Sequence, residues 1–347
     1  MDVLHFTSRK RTTYQIKLEY SLLWECALGI AAITNTPIIN TLEKPLDYWT
    51  TIKGNMSKEF IKELDYVEKH NTWKALLQLL HMRRITDLQD FTSHIQELTE
   101  DQLKFVCLPF IGHPFQDLRK EAASGNGSAT SEMKKLTKDN PFFPQYIDYI
   151  CTVDSTFLKE HLITIMLGWY EAVIKKDIEE LHNMLQTDYE MKRDMLNKLE
   201  PEAMVEWATG GVSYKPEPSV NQVLLIPQYV YRPWNIEADL EDTKVFYYPI
   251  SNESISPNDR YMPDDFMVLK YKALGDEARM KIVKLLFEEE RTLQEITDQL
   301  DLGKSTVHHH LKILRSAKLV EIVDSKYSLK TQALKFLGEE LHLYLKK

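Results

Sequence analysis

The sequence contains no apolar run long enough to cross a membrane. Its longest candidates are Leu22–Ile33, which Glu25 interrupts, and Leu162–Tyr170, and both fall short of the ~20 residues that a spanning helix needs. Met1–Tyr20 carries basic side chains with no apolar stretch behind them, unlike a secretory signal peptide. Cysteine is also scarce, because the chain has only three, widely spaced and without a CxxC pair, as is typical of reduced thiols. We therefore expect a soluble, cytoplasmic protein with no membrane partner.

The linear motifs of several large enzyme classes are missing as well. The chain contains no GxxxxGK[ST], no GxGxxG after a strand, no HExxH and no GxSxG. No fixed-period repeat is visible either, which excludes a solenoid. We predict that the protein is not an enzyme and has no cofactor or catalytic residues. An enzyme site built from scattered residues of the N-terminal part is the alternative that motif searches leave open.

Length and charge indicate more than one domain. At 347 residues the chain exceeds one ordinary domain of ~150 residues, so we expect two or three. The formal net charge of −9 by itself argues against nucleic acid as a partner. However, Asp264–Lys347 holds 15 basic against 14 acidic residues, whereas the rest of the chain holds 28 against 38. The acidity therefore belongs to the N-terminal part.

The most informative stretch is Thr292–Tyr327, which has the layout of helix, tight turn, second helix and β-hairpin. Glu295 follows Thr292 at the spacing of a capping box, so a short helix is predicted to start there. The polar segment Asp301–Lys304 then ends this helix. Within it, Gly303 is free to adopt the positive φ that such turns often need. The layout predicts a winged helix-turn-helix.

The second helix is predicted over about Thr306–Ser316, with Ser305 as its candidate N-cap. Its apolar residues recur at i, i+4 and i+7 and should form the packed face. They are Val307, Leu311 and Leu314.

The opposite face of this helix is polar and basic. No acidic residue occurs from Leu302 to Val320, whereas lysines, an arginine and three histidines do. A helix in the major groove needs short polar side chains near its N-terminus for base edges and longer basic side chains behind them for phosphates. An ordinary solvated basic face is the alternative. The predicted DNA contacts on this helix are Lys304, Ser305, Thr306, His308, His309, Lys312 and Arg315.

These residues also carry a resemblance. The segment Ala273–Arg279 (ALGDEAR), the IVKLL that follows and TLQEITDQLDLGKSTVHHHLKILRSAKLV resemble the ArsR family of winged-helix transcription regulators. The resemblance covers about Asp264–Lys347 and implies that Thr306–Ser316 is the recognition helix. It also implies a wing over Glu321–Lys330, with Lys326 at its tip as a further DNA contact. Members of this family are usually homodimers that read palindromic sites, and many release DNA when an effector binds.

The chain departs from the metal-sensing members of that family. Those sensors commonly place cysteines in the helix before the turn, where this chain reads Thr292-Leu293-Gln294-Glu295. Their other common site uses paired Asp and His on the last helix, where this chain offers one histidine, His342. The run His308–His310 cannot converge on one ion without other ligands, because consecutive helical residues point ~100° apart. We therefore predict no metal site, and expect His310 to be structural.

The N-terminal part is predicted to be mostly helical with a few strands. Val3–Phe6 and Thr12–Tyr20 are strand candidates. Gln222–Gln228 and Lys244–Ile250 are apolar strands that should pair with each other or with the N-terminal strand. The polar, Pro-containing segment Ser254–Pro263 marks the main domain boundary.

Local signals within this part are more detailed. Thr86 with Gln89, and Thr99 with Gln102, are candidate capping boxes. Asp154 should open a long helix that ends near Lys176. Ala122–Ser131 (AASGNGSATS) has the composition of a mobile loop between helices.

Aromatic residues in the N-terminal part point to a possible effector. An aromatic-lined cavity would suit an apolar or mixed small molecule of unknown identity, and ordinary core packing is the alternative for any single residue. His161, beside Leu162, is expected to be a hydrogen-bonded core histidine and not a ligand. The tryptophans that could line such a cavity are Trp24, Trp49, Trp73, Trp169, Trp207 and Trp234.

The last predicted helix, Thr331–Leu345, has a leucine stripe that needs a partner, either within the chain or in a second copy. We predict a mainly α fold with small β elements, in which residues 1–256 form a helical sensing or dimerisation domain. Residues 264–347 are predicted to form the winged helix-turn-helix, which binds double-stranded DNA as a homodimeric repressor. A winged-helix adaptor that binds protein is a further alternative, which the basic run Lys304–Lys318 disfavours.

Overall fold

The computed structural model describes residues 13–257, 259 and 261–346. The predicted strand Val3–Phe6 lies outside these residues. The described chain separates into two compact units. We call residues 17–189 and 218–250 the N-terminal unit, and the described residues among 1–16, 190–217 and 251–347 the C-terminal unit.

The N-terminal unit is mainly helical. Helix α11 (Ser155–Trp169) continues into a π-helical turn at Tyr170–Ile174. The next helix, α12 (Ile178–Met195), contributes residues to both units. The preceding helices are α1 Leu22–Ile33, α2 Thr36–Ile39, α3 Leu46–Gly54, α4 Lys58–His70, α5 Trp73–His81, α6 Leu88–Glu97, α7 Glu100–Cys107, α8 Gln116–Ala123, α9 Gly127–Leu136, α10 Phe143–Thr152 and α11 Ser155–Trp169.

A small mixed sheet accompanies these helices. The strands are β1 (Gln15–Leu18), β2 (Gln222–Gln228), β3 (Ile236–Leu240) and β4 (Thr243–Pro249), in the order β1-β2-β4-β3. Strands β2 and β4 are parallel and buried over most of their length, as is usual when both faces of parallel strands are covered. The predicted strands are confirmed, as is their pairing with each other and with the N-terminal strand. The sequence analysis missed strand β3, although its sequence IEADL alternates apolar and acidic residues.

Helix α1 lies at the centre of the core of the N-terminal unit. Every residue from Leu23 to Ile33 is buried, including Glu25, whose carboxylate accepts hydrogen bonds from the Tyr229 and Val230 amides. Gly29 allows the Trp169 indole of α11 to approach closely, because a Cβ at this position would lie 2.7 Å from Trp169 Nε1. Any side chain at Gly29 would therefore displace the tryptophan.

Several helix ends follow from local sequence. Asp154 accepts a hydrogen bond from the Phe157 amide and caps α11, and Thr99 with Gln102 forms a complete capping box before α7. The capping box proposed at Thr86 is wrong. Asp87 caps α6 instead, because its carboxylate accepts from the Asp90 amide.

The segment Ala122–Ser131 is not a loop. Only residues 124–126 separate α8 from α9, and the Asn126 side chain accepts hydrogen bonds from the Ser128 and Ala129 amides. Ala122, Ala123 and Ala129 are buried, since small side chains let the two helices pack closely. The composition that suggests a linker therefore serves a tight helix–helix turn.

His161 is a buried, hydrogen-bonded histidine of the N-terminal unit, as predicted. Its Nε2 lies 2.8 Å from Thr72 Oγ1, and its Nδ1 lies 2.5 Å from Glu63 Oε2. The tryptophans serve different roles, because Trp49 and Trp169 are buried in the core whereas Trp234 is 47% exposed. No helix among the described residues is both long and apolar enough to span a bilayer.

The C-terminal unit combines the predicted winged helix-turn-helix with a segment from earlier in the chain. That segment contains α13, and its residue Gly210 lies beside the Phe266 ring. The elements of the unit are α13 Pro201–Ala208, α14 Asn252–Ile255, α15 Asp265–Leu274, α16 Glu277–Glu288, α17 Leu293–Leu300, α18 Lys304–Ser316, β5 Val320–Val323, β6 Lys326–Leu329 and α19 Thr331–Lys346. The predicted fold class, mainly α with small β elements and a C-terminal winged helix-turn-helix, is confirmed.

Candidate nucleic-acid interface

Helix α17 starts where the sequence predicts. The Glu295 amide donates to Thr292 Oγ1 over 3.3 Å, and the Thr292 amide donates to Glu295 Oε2 over 2.7 Å. This reciprocal capping box satisfies two amides that the helix itself leaves unpaired. These hydrogen bonds to its carboxylate lower the pKa of Glu295, so the cap persists at neutral pH.

The turn between α17 and α18 differs from the prediction in its details. Asp301 adopts the left-handed conformation with φ of 50°, whereas Gly303 has an ordinary φ of −62°. Aspartate tolerates this region because its short polar side chain can hydrogen-bond locally, so no glycine is required. Helix α18 begins at Lys304 with Gly303 as its N-cap, and no side chain caps it. The proposed N-cap role of Ser305 is therefore wrong, and Ser305 lies in the first helical turn.

The packed face of α18 is the predicted one. Val307, Leu311 and Leu314 are fully buried in the core of the module, which also contains Ile296 of α17. Burying an aliphatic side chain of this size contributes about 2 kcal/mol, so this stripe fixes the rotation of the helix. The remaining residues of α18 are consequently directed away from the core.

That outward face contains the predicted DNA contacts of the helix. Every one of them is exposed: Lys304, Ser305, Thr306, His308, His309, Lys312 and Arg315. The ionisable contact that this helix makes involves another residue, because His310 Nδ1 lies 3.9 Å from Asp276 Oδ1. Within the described part of the chain, the basic side chains of this face thus have no carboxylate at ion-pair distance. They are free to meet phosphates.

His310 is set apart from its two neighbours. It is only half-exposed and faces Asp276, the residue whose carboxylate caps α16 by accepting from the Arg279 amide. The prediction that His310 is structural fits this placement. No group of three or more His, Cys, Asp or Glu residues with metal-site geometry occurs within residues 13–257, 259 and 261–346.

The wing is a short hairpin. Val320–Val323 pairs antiparallel with Lys326–Leu329, and the connecting residues Asp324 and Ser325 both have positive φ. Positive φ at both central residues is the type I′ geometry, whose twist matches that of paired strands. Lys326, the predicted contact of the wing, follows this turn directly and is exposed. The base of the wing is held by Tyr327, which exchanges backbone hydrogen bonds of 3.1 and 2.7 Å with Arg291.

An electropositive groove of about 440 Å³ lies at the C-terminal end of α18. Lys312 and Arg315 of α18 line it together with Lys318, Lys330 and Ser213. Burial, and then the proximity of Lys330 and Arg315, lowers the pKa of Lys318. Lys318 therefore adds positive charge to that of α18, whereas Lys330 is paired with Glu206 and the Glu321 carboxylate also lines the groove.

Two contributors to this groove were not predicted. Ser213 and Gly211 come from the segment after α13, far from the helix-turn-helix in sequence. Gly211 has a φ of +117°, and a Cβ there would lie 2.3 Å from Lys318 Cβ. No sequence signal links these positions, because their proximity to Lys318 arises only from tertiary packing.

One part of the chain matches a known protein family. Residues 276–321, which run from the cap of α16 into β5, match the family described as "Bacterial regulatory protein, arsR family". No curated protein and no solved structure matches the chain. The match, together with the capped α17, the exposed basic face of α18 and the hairpin wing, supports a DNA-binding transcription regulator. Residues 276–321 thus form an ArsR-family helix-turn-helix domain in the C-terminal part of the 347-residue chain, and the hairpin that ends at Leu329 completes its wing.

Proposed function

We propose that this protein is a sequence-specific transcription regulator that binds operator DNA as a homodimer. The observation that carries the proposal is the outward face of α18, where exposed polar and basic side chains project from a helix whose other face is locked into the core. Residues 264–347 supply the DNA-binding function, and residues 1–256 sense a ligand or mediate dimerisation.

The side chains of α18 fall into two groups by position and chemistry. Ser305, Thr306, His308 and His309 lie in the N-terminal half of the helix, where short donors and acceptors reach base edges in the major groove. Lys312 and Arg315 lie further along and suit phosphates, which carry no sequence information. Lys304 and the wing residue Lys326 supplement the phosphate contacts. The groove beside Lys318 extends the same positive surface.

Homodimerisation is the second part of the proposal. Helices α15 and α19 pack against each other in the C-terminal unit, with the Lys270 ammonium 2.6 Å from Glu340 Oε1. Both also expose large apolar side chains: Leu269 is 42% exposed, Leu343 41% and Leu345 70%. A two-fold axis through such a surface would bury it and place two recognition helices about 34 Å apart, one turn of DNA.

DNA binding is tested by titration with the DNA upstream of the gene for this protein, with random DNA of equal length as the control. We expect a preference of ~10³ or more for the upstream DNA, and an affinity that falls steeply with salt concentration. Equally weak binding to both DNAs would contradict a sequence-specific regulator.

Dimerisation is tested by sedimentation of the full chain. Leu345→Glu is expected to shift a dimer towards monomer, because it places a charge in a surface that must be desolvated. Leu46→Glu is the matched control, since Leu46 is 58% exposed in the N-terminal unit. A monomeric wild-type chain, or a dimer that Leu345→Glu leaves intact, would refute this interface.

A further inference from the structure

The N-terminal unit contains a half-open cavity of about 1010 Å³. A volume of this order accommodates a drug-sized molecule. Its walls come from α1, α5, α7 and α8, from the sheet and from connecting segments, chiefly residues 82–86 after α5. Part of the lining is apolar and aromatic, including Trp24, Phe105 and Phe110.

Arg119 places a buried positive charge on this wall. The residue is 8% exposed, and no carboxylate lies within ion-pair distance of its guanidinium among the residues that the structure describes. The Glu241 carboxylate, which also lines the cavity, attracts the guanidinium only at longer range. Burial lowers the pKa of Arg119 to about 10, so the group remains cationic at neutral pH. Its hydrogen bonds within the protein are long and reach only uncharged oxygens, since Nη1 donates to Gln116 Oε1 over 3.4 Å and Nη2 to the Val106 carbonyl over 3.3 Å.

The guanidinium of Arg119 also retains an unused donor. Its Nε has no hydrogen-bond acceptor within the described part of the chain, although the atom is buried. The group is held in place by the Phe105 ring, whose centroid lies 4.3 Å from Cζ. A buried cation without a counter-ion lowers the stability of the folded protein, and a bound anion would offset this loss.

Gln78 supplies a second unsatisfied atom on the same cavity wall. Its Nε2 donates to the Leu108 carbonyl over 3.0 Å, and this bond fixes the orientation of the amide. The Oε1 of the same amide is buried and has no donor among the described residues. Arg119 and Gln78 thus place a cationic donor and a neutral acceptor on this wall, and each side chain retains one buried atom without a partner among the described residues.

The aromatic wall near Trp24 is electrically neutral. The His81 ring packs against Trp24 with centroids 4.4 Å apart, and its Nε2 lies 2.6 Å from the Tyr247 hydroxyl. Burial lowers the pKa of His81 to about 3, so the imidazole carries no charge at neutral pH. This wall suits an aromatic or apolar group.

We propose that the cavity binds a small aromatic carboxylate that also carries an N–H or O–H donor. The carboxylate pairs with Arg119, the donor meets Gln78 Oε1, and the aromatic body lies against Phe105 and Trp24. This proposal rests on the proposed function only for its regulatory meaning, since it names the ligand class that the N-terminal part would sense.

Isothermal titration of the full chain with three matched probes tests the ligand class. Indole-3-acetate has all three features, indole-3-acetamide lacks the charge, and 1-naphthaleneacetate lacks the N–H donor. We expect indole-3-acetate to bind at least ~10-fold more tightly than the amide, and more tightly than 1-naphthaleneacetate, because hydrogen bonds to a charged partner are the stronger ones. No binding of any probe at ~10 mM, or equal binding of acid and amide, would overturn the proposal.

Variants locate the charge that is responsible. Arg119→Met is expected to remove the preference for acid over amide, whereas Arg119→Lys retains part of it. Arg83→Met is the matched control, because Arg83 also lines the cavity but is already paired with Asp90 at 2.5 Å. An equal loss in both Met variants would refute the assignment to Arg119.

A further variant keeps the test decisive if Arg119→Met fails to fold. Val106→Trp projects an indole ring into the cavity beside Arg119 from a half-exposed wall position, and it leaves the Val106 carbonyl in place for Arg119. This variant should fold and lose all three probes, and retention of binding would place the ligand elsewhere.

The ligand proposal and the proposed function are tested by different measurements. Probe binding alone tests whether the cavity binds an aromatic carboxylate, whatever the DNA titration shows. Release of upstream DNA by indole-3-acetate in the wild type, and not in Val106→Trp, is the expected regulatory effect. Probe binding without any effect on DNA would leave the cavity assigned and contradict its sensing role.

Discussion

The ammonium group of Lys330 lies 3.4 Å from Glu206 Oε1 and also donates to the Gly211 carbonyl. Lys330 ends the wing hairpin, whereas Glu206 lies on α13, so the pair joins the helix-turn-helix module to a segment from earlier in the chain. Both side chains are buried, at 8% and 9% exposure. We therefore expect this pair to contribute more to the free energy of unfolding than the exposed ion pairs of the same unit.

Removing one member of this pair should destabilise the C-terminal unit. Lys330→Met leaves the Glu206 carboxylate buried without its cation and is expected to lower the free energy of unfolding by about 3 kcal/mol. The double variant with Glu206→Gln should recover a substantial part of the loss. Urea denaturation followed by circular dichroism measures both. Lys335→Met, at an exposed position of α19, is the control, and a loss equal to that of Lys330→Met would contradict the role of the pair.

The two groups of α18 side chains should respond differently to substitution. Lys312→Ala is expected to weaken binding to all DNA sequences and to reduce the slope of log affinity against log salt by about 1. Thr306→Ala or His308→Ala should instead reduce the preference for operator over random DNA, with little change in slope. Fluorescence anisotropy at several salt concentrations separates these effects. Identical behaviour of both groups would show that our division into phosphate and base contacts is wrong.

The capping box before α17 gives a prediction with a conservative control. Thr292→Ala removes the oxygen that accepts from the Glu295 amide and is expected to lower the free energy of unfolding by about 1 kcal/mol. Thr292→Ser keeps that oxygen and should stay close to the wild type. Chemical denaturation of the three proteins side by side measures the difference. A serine variant as unstable as the alanine variant would assign the loss to the methyl group instead.

Buried His81 predicts an acid sensitivity of the N-terminal unit. Its pKa in the folded chain is about 3, below the ~6.5 of an unfolded histidine. Between these two pH values the unfolded chain is protonated at this histidine whereas the folded chain is not. The free energy of unfolding therefore falls as pH drops from ~6.5 towards ~3. His81→Gln keeps a hydrogen-bonding group near Tyr247 but cannot take up a proton.

The test compares His81→Gln with the wild type at two pH values. The stability of the variant relative to the wild type should improve by about 2 kcal/mol between pH ~7.5 and pH ~4.5. His342→Gln, on an exposed side chain of α19, is the control. A difference between variant and wild type that does not change with pH would exclude His81 as the source.

Several features of the fold could be predicted because they depend on neighbouring residues. The capping box at Thr292, the buried stripe Val307–Leu314 and the cap at Asp154 each follow from spacings of three or four residues along one helix. The apolar strands Gln222–Gln228 and Thr243–Pro249 were visible for the same reason. The errors arose where two local solutions compete, as between Ser305 and Gly303 for the start of α18, or between Thr86 and Asp87 for the start of α6.

The module type, the rotation of α18 and hence the set of exposed side chains follow from the sequence alone, because helical periodicity fixes which face is apolar. Tertiary packing is what brings Ser213 and Gly211 to the groove beside Lys318 and places Arg119 and Gln78 on one cavity. It also decided that Arg119 is left without an ion-pair partner among the described residues. Such groupings depend on contacts between residues distant in sequence, and no periodicity or spacing encodes them.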